Sequence, residues 1–138
     1  MPQAIRRGDE QKEDGVQYIF LIYGDESEGG SASPEEMAKN MQEWGDYTQY
    51  LKDEGYHLAG EALYPTHDAT TVRVRGGKTI TTDGPFAETK EQLGGFYLVD
   101  CPSLDEAIEA SAKMPVGDDG SVEIRPVMLF DEEGRPSS

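Results

Sequence analysis

Cysteine is nearly absent from the sequence: Cys101 is the only cysteine of the 138 residues. A single cysteine cannot form a disulfide within the chain, which is typical of proteins from a reducing compartment, and we therefore predict a cytoplasmic location. Cys101 directly follows a predicted strand and precedes Pro102, with no histidine near it in sequence. This position favours a small buried apolar residue over a nucleophile.

Long apolar runs are also missing. No stretch reaches the roughly 18 apolar residues that a membrane-spanning helix needs. Residues 1–15 are polar and mixed in charge and lack the apolar core of a secretory signal, so we predict a disordered N-terminal arm there. Residues 131–138 are predicted to form a C-terminal tail, which leaves residues 16–130 as a single domain.

Basic charge is scarce. The chain has 12 Lys and Arg residues against 28 Asp and Glu residues, a formal net charge of −16 and a pI of about 4.3. The acidic residues are spread along the chain rather than gathered in one tail, which indicates a solvated acidic surface. Phosphate backbones and anionic lipids repel such a polyanion, so the sequence predicts neither a nucleic-acid nor a membrane partner.

Histidine is scarce too. His57 and His67 are ten residues apart in sequence, and no helical or tight-turn spacing places them together as metal ligands. The glycine-rich segment 27–31 lacks the lysine of a phosphate-binding loop. We therefore predict no metal and no cofactor.

The sequence does contain a well-marked first helix. Ser33, Pro34 and Glu36 form a helix start with a capping box, and Gly55 is a natural stop, so we predict a helix over residues 34–54. The predicted buried stripe of this helix consists of Met37, Met41, Trp44, Thr48 and Leu51.

Strand patterns surround this helix. An almost continuous apolar run predicts a first strand, alternation with a Gly-Gly turn predicts a hairpin, and a second Ser-x-x-Glu box begins another helix. The predicted strands cover residues 16–23, 58–64, 70–75, 78–82, 95–100 and 121–130, and the second helix covers about residues 103–114.

The order of these elements is typical of an α+β, ferredoxin-like βαββαβ protomer that carries an additional hairpin. Two helices would cover one face of an antiparallel sheet. By alternation, Phe96 and Leu98 point to the face opposite that of Tyr97 and Val99. A bare apolar face is covered economically by a second copy, so we predict a homodimer.

Residues 82–100, TDGPFAETKEQLGGFYLVD, resemble the DGPF-motif branch of the YCII-related (YciI-like) family. Shorter similar segments are YGDE at 23–26, SPEE at 33–36, VRVRGGK at 72–78 and VEIRPVM at 122–128. The resemblance implies a dimeric α/β-barrel built from ferredoxin-like protomers, and it implies no established substrate. Members of the branch are often encoded near extracytoplasmic-function sigma factors.

The wider family is thought to use a His/Asp pair, with the histidine in a first-helix pattern resembling His-x-x-Tyr-Leu. Aligned on YTQYL at 47–51, Tyr47 stands at the histidine position. Tyrosine has an ordinary pKa near 10 and is a poor base at neutral pH, so the pair is not carried over. Tyr47 and Asp83 remain the candidate catalytic residues.

Asp83, Gly84, Pro85 and Phe86 have the residue types that a specified turn requires. We predict that the Asp83 carboxylate anchors the turn by accepting backbone N–H groups and that Phe86 fills the core or a subunit seam. The functional alternative is a carboxylate presented at the mouth of a pocket.

Charged residues on the strands suggest a second candidate site. Arg73, Glu123 and Arg125 could share the bare sheet face as an anion-binding cluster in the barrel, with Tyr97 as a hydrogen-bonding wall and Phe86 nearby. The same charges could instead form ion pairs inside the dimer or at solvent-facing edges.

Three functions remain open, in this order of preference. The first is a binding or regulatory domain that holds a small molecule in the barrel cavity. The second is an enzyme that performs proton transfer or isomerisation with Asp83 and Tyr47. The third is an acidic protein partner linked to sigma-factor regulation.

Overall fold

A computed structural model describes residues 15–27 and 33–137; the predicted arm lies outside the described residues except for Gly15. A 3-10 turn, Thr66–Asp68, lies between the second and third strands. The elements are β1 (Val16–Gly24), α1 (Pro34–Asp53), β2 (His57–Ala62), β3 (Thr70–Arg75), β4 (Lys78–Asp83), β5 (Gln92–Cys101), α2 (Leu104–Ser111) and β6 (Ser121–Pro126). The predicted α+β class is confirmed.

The strands form two separate antiparallel sheets. The main sheet has the order β2-β5-β1-β6, and β3 and β4 pair only with each other. With the β3–β4 hairpin set aside, the chain order is βαββαβ, as the sequence pattern indicated. The hairpin is therefore an addition to the main sheet.

Local sequence fixes both ends of α1. The Ser33 hydroxyl accepts from the Glu36 N–H at 3.1 Å, and the Glu36 carboxylate accepts from the Ser33 N–H at 2.8 Å, which is the predicted capping box. At the other end Gly55 has φ of 79°, and the Tyr56 N–H donates to the Leu51 carbonyl at 2.9 Å. This left-handed glycine and the bond that spans it form a Schellman motif, so the helix stops there.

The start of α2 is capped less completely. The Ser103 hydroxyl accepts from the Glu106 N–H at 3.3 Å, but the Glu106 carboxylate accepts from the Ser103 hydroxyl rather than from its N–H. The second capping box is thus half formed. The helix ends at Ser111, three residues before the predicted end.

The core lies between both helices and one face of the main sheet. Phe20, Val99 and Cys101 are fully buried, which confirms the buried, apolar reading of Cys101. The remaining core side chains are Tyr18, Tyr47, Leu51, Tyr56, Tyr97, Ala107, Ala110 and Met114.

The predicted buried stripe of α1 is wrong in its first half. Met37 and Met41 are exposed, Met41 to 74% of its surface, and burial begins at the half-buried Trp44. The first two turns of α1 have an apolar stripe with no packing partner in the described part of the chain, because the core begins further along the helix.

Among residues 15–27 and 33–137, no helix packs on the other face of the main sheet. This face carries the cross-strand pairs Ile19–Leu98 and Leu21–Phe96, and all four side chains are half-buried. We call these four residues the bare face. The alternation predicted for β5 is confirmed, since Tyr97 and Val99 are buried among the core residues.

Candidate functional site

A cavity of about 740 Å³ opens at one end of the main sheet, on the side that the helices cover. Its floor is formed by the end of β1, by β2 and by the first half of β5, and its walls are α1 and the segment 115–120. We call it the site cavity. It combines an aromatic wall, a short hydroxyl chain and an acidic mouth.

The aromatic wall consists of Trp44 and Tyr97. Their rings are stacked with centroids 6.5 Å apart and an interplanar angle of 20°, and the His57 ring meets Tyr97 edge-on at 6.2 Å. Gly60 pairs with Tyr97 across β2 and β5, and a Cβ at Gly60 would come within 2.6 Å of the tyrosine ring. A glycine here therefore lets the Tyr97 ring lie against the β2 backbone.

A hydroxyl chain runs along α1 beside this wall. The Thr48 hydroxyl donates to the Trp44 carbonyl at 3.0 Å and lies 2.5 Å from the Tyr97 hydroxyl. A threonine hydroxyl has one hydrogen, so Tyr97 must donate to Thr48. The Tyr97 oxygen then has only lone pairs left and can act toward a ligand only as an acceptor.

The mouth of the cavity is braced by hydrogen bonds between three segments. The Glu26 carboxylate accepts from the Thr66 N–H at 2.9 Å and from the Thr66 hydroxyl at 2.7 Å. The Glu26 N–H in turn donates to the Gln92 side chain at 2.9 Å. These bonds hold together three parts of the chain: the segment after β1, the segment before β3 and the start of β5.

His57 is the one histidine that lines the site cavity. Burial lowers the pKa of its imidazole below the ordinary value, and the nearby Lys52 lowers it further. The ring is therefore neutral at pH 7 and can both donate and accept a hydrogen bond.

Tyr47 does not line this cavity but lies in the core. Its hydroxyl donates to the Ala110 carbonyl at 2.9 Å, and burial raises the pKa of Tyr47 far above 10. Asp83 is exposed at the end of β4, in the separate hairpin. The chain therefore does not assemble the predicted Asp83–Tyr47 pair, and Tyr47 cannot serve as a base there.

We expect buried tyrosines to make the fold sensitive to alkali. Burial raises the pKa of Tyr47, and raises that of Tyr56 to about 12, while an unfolded tyrosine ionises near pH 10. The folded state therefore holds these protons more tightly, so their contribution to stability is complete below pH 10 and is lost as the pH rises above it.

Thermal melts between pH 8 and pH 11.5 measure this effect. Tyr47→Phe should flatten the decline of the melting temperature above pH 10. Tyr64→Phe changes a side chain that is 85% exposed and should leave that decline unchanged. A decline equally steep in both variants would contradict the assignment to Tyr47.

Backbone bonds hold the turn at 83–86. Gly84 has φ of 100°, its N–H donates to the Ala69 carbonyl at 2.7 Å, and its carbonyl accepts from the Thr71 hydroxyl at 2.8 Å. Within residues 15–27 and 33–137 no hydrogen bond reaches the Asp83 carboxylate, and Phe86 is 78% exposed. The predicted carboxylate anchor is therefore wrong for this chain by itself, and Phe86 does not fill its core.

Asp83→Ala should consequently change the free energy of unfolding by no more than about 0.5 kcal/mol, as is usual for an exposed side chain without partners. Gly84→Ala should cost more than about 1 kcal/mol, because an L side chain is strained at its positive φ. Urea unfolding at low protein concentration measures both values. A larger loss for Asp83→Ala would restore the carboxylate as a turn anchor.

The described part of the chain assembles the predicted anion-binding cluster only in part, since Glu123 and Arg125 pair with Leu21 and Ile19 and so share the bare face. Arg73 lies on the hairpin and donates to the Phe86 carbonyl at 3.3 Å. Glu123 and Arg125 lie on β6, where Glu123 accepts from a tyrosine hydroxyl of β1 at 3.3 Å. Tyr97 points to the helix-covered face, away from the β6 charges, because alternate residues of a strand face opposite sides.

Three residues of the site cavity escaped the sequence analysis as site residues. Trp44 and Thr48 appeared as part of a core stripe, and His57 was considered only as a metal ligand. One signal in the sequence could have identified Thr48. Its hydroxyl lies within an otherwise apolar stripe, and a buried hydroxyl needs a hydrogen-bond partner.

Neither a metal-binding cluster nor a membrane-spanning helix is found among residues 15–27 and 33–137. No three His, Cys, Asp or Glu side chains there are grouped so that they could hold a metal ion. None of the helices in this part of the chain has the length and apolar character that crossing a membrane requires.

Comparison with known proteins gives two matches. The family model described as the YCII-related domain matches residues 16–131. An uncharacterised protein of Rhizobium meliloti is 41% identical over 122 residues, which cover 87% of this chain and 98% of that protein.

Proposed function

The chain belongs to the YCII-related domain family, and from this premise we propose that it is a homodimeric domain that binds a small organic molecule in the site cavity. The observation that carries the proposal is the cavity itself. Its volume of about 740 Å³ lies within the range of roughly 300–1,000 Å³ that is usual for ligand pockets. Its stacked aromatic wall is typical of such pockets.

The proposed location differs from the barrel cavity expected from the sequence. A barrel interior would form on the bare face, between the sheets of two protomers. The site cavity lies on the opposite side of the sheet, beside α1. A ligand could therefore bind in each protomer without depending on how the two protomers pair.

Binding is favoured over catalysis because the candidate catalytic residues lie elsewhere. The Tyr47 hydroxyl is held in the core by Ala110, and Asp83 is on the hairpin. His57 provides a neutral ring that can orient a ligand by a hydrogen bond.

The homodimer is supported by the apolar side chains that one chain leaves accessible. No helix of the described part of the chain packs on the bare face, and Val72, Val74, Ile80 and Phe86 on or beside the hairpin are exposed. Exposed apolar side chains gathered in patches often mark a surface that a partner covers. Pairing of two such sheets would make a dimeric α/β-barrel from ferredoxin-like protomers, with isologous contacts.

Trp44 is the only tryptophan in the chain, so its fluorescence reports on the site cavity directly. We expect 2-phenylethanol, a neutral aromatic probe, to change this fluorescence in a saturable way at millimolar concentration. Ala62→Phe, which adds a ring to a lining residue, should weaken binding at least tenfold. Leu104→Phe on α2, outside the cavity lining, is the matched control and should bind as the parent does. Equal binding in both variants, or no saturable change, would overturn the proposed site.

Sedimentation equilibrium at micromolar concentration tests the dimer. We expect about twice the chain mass of 15.2 kDa. A clean monomer would contradict the dimer and the barrel but would leave the site cavity untouched, since one chain forms it.

A further inference from the structure

We infer that the site cavity selects an organic monocation, a protonated amine carried on an aromatic or similarly flat apolar body. The inference rests on the proposed function and adds the chemical class of the ligand. Three independent properties of the cavity point to this class: the charge of its lining, the faces of its aromatic rings and the direction of its hydrogen bonds.

The charged side chains of the lining are all acidic. Among the described residues, no Lys or Arg lines the cavity. Glu26 is bonded to Thr66, and the Asp25 carboxylate accepts from the Ser27 N–H at 2.9 Å and hydroxyl at 2.6 Å. The lining carboxylates that remain are those of Asp118 and Asp119 in the segment 115–120, since Glu61 pairs with Phe96 and its side chain is on the bare face. Together with Asp25 and Glu26 after β1, they give the lining negative charge from two segments, so the cavity attracts a cation and repels an anion.

The aromatic wall adds a second attraction. Indole and phenol faces attract an ammonium group placed over them, and tryptophan does so most strongly. Trp44 and Tyr97 provide both ring types in one stacked pair that lines the cavity. An apolar body can lie along the same wall, because the rings and Ile22 provide apolar contact.

The hydroxyl chain sets the direction of the hydrogen bond to the ligand. Thr48 uses its hydrogen on the Trp44 carbonyl, so Tyr97 uses its own on Thr48 and presents an acceptor. A ligand that meets Tyr97 must therefore donate, as an ammonium group does. His57 is neutral because burial and Lys52 lower its pKa, so it brings no competing positive charge.

Three probes of matched shape test the inference: 2-phenylethylammonium, 2-phenylethanol and phenylacetate, each titrated against the full chain by Trp44 fluorescence. We expect the cation to bind at least tenfold more tightly than the alcohol and the anion to bind most weakly. If the alcohol binds as tightly as the cation, or if the anion binds best, the inference is overturned while the proposed site stands. If none of the three binds, the proposed function fails and the inference fails with it.

Charge-neutral variants locate the selectivity. Asp118→Asn combined with Asp119→Asn should weaken the binding of 2-phenylethylammonium at least fivefold and leave the binding of 2-phenylethanol unchanged. Glu109→Gln combined with Glu132→Gln is the matched control, since it makes the same change in net charge at exposed residues outside the lining. Equal weakening in both double variants would show that only the general charge of the protein matters, and would overturn selection by the cavity. Thermal melts of all variants confirm that each one is folded.

Discussion

Phe20→Ala is expected to lower the free energy of unfolding by about 3–5 kcal/mol, the usual cost of deleting a fully buried aromatic side chain. Phe20 lies at the centre of the main sheet, where its strand pairs with β5 on one side and β6 on the other. It is completely buried and lies opposite Tyr97 in the register. Its removal leaves a cavity that neighbouring side chains can fill only in part, so both transfer energy and packing are lost.

Urea unfolding followed by circular dichroism measures this loss. Ile108→Ala on α2 is the control, because it also truncates a large aliphatic side chain, but one that is 49% exposed. Its loss of unfolding free energy should be less than half as large, since the substitution removes less buried apolar area. Similar losses for both variants would show that the core is not centred on Phe20.

The substitution also has a consequence for the site. Because Phe20 is adjacent to Tyr97 across β1 and β5, its loss should loosen the aromatic wall. The binding of 2-phenylethanol should therefore weaken at temperatures where the variant is still folded. Stability and binding are thereby coupled through one cross-strand pair. Unchanged binding would show that the Tyr97 ring is held by its hydroxyl bond to Thr48 alone.

The sequence predicted those parts of the fold that depend on local chemistry. The ends of α1 follow from local residues. Ser33 and Glu36 form the capping box with each other at the start of the helix, and Gly55 supplies the positive φ at its end. The last strand ends at Pro126 although apolar residues continue to 130, because proline has no N–H to donate to the ladder. One further backbone bond follows it, from the Val127 N–H to the Gln17 carbonyl of β1 at 2.8 Å. The proline stands in the sequence, so this end of the strand could also have been predicted from local chemistry.

The site was less predictable, because it depends on tertiary pairing, which no local pattern contains. Thr48 is 49 residues from Tyr97 in sequence, and the tyrosine ring has room against β2 because the β2–β5 register puts Gly60 beneath it. The turn at 83–86 shows the opposite case. Its glycine was interpreted correctly from the sequence, but the same pattern could not tell whether the Asp83 carboxylate faces the backbone or solvent.

Leu98→Asp is expected to dissociate the proposed homodimer, weakening it by at least about a hundredfold, which corresponds to about 2.7 kcal/mol. Leu98 lies within the bare face, paired with Ile19 on β1 and with Ala59 on β2. A buried carboxylate without a partner is costly, and a two-fold axis introduces the change twice. Arg125 would not offset it directly, because Ile19 lies between Leu98 and Arg125 in the register.

Sedimentation equilibrium over a hundredfold range of concentration measures the change. The control is Ile108→Asp, which replaces an apolar residue by the same acid on the outer side of α2 and should remain dimeric. The site cavity lies on the other side of the sheet from Leu98, so the monomeric variant should still bind 2-phenylethanol with the affinity of the parent. A monomer that has lost binding would mean that the second protomer completes the site, whereas a variant that remains dimeric would place the subunit interface away from the bare face.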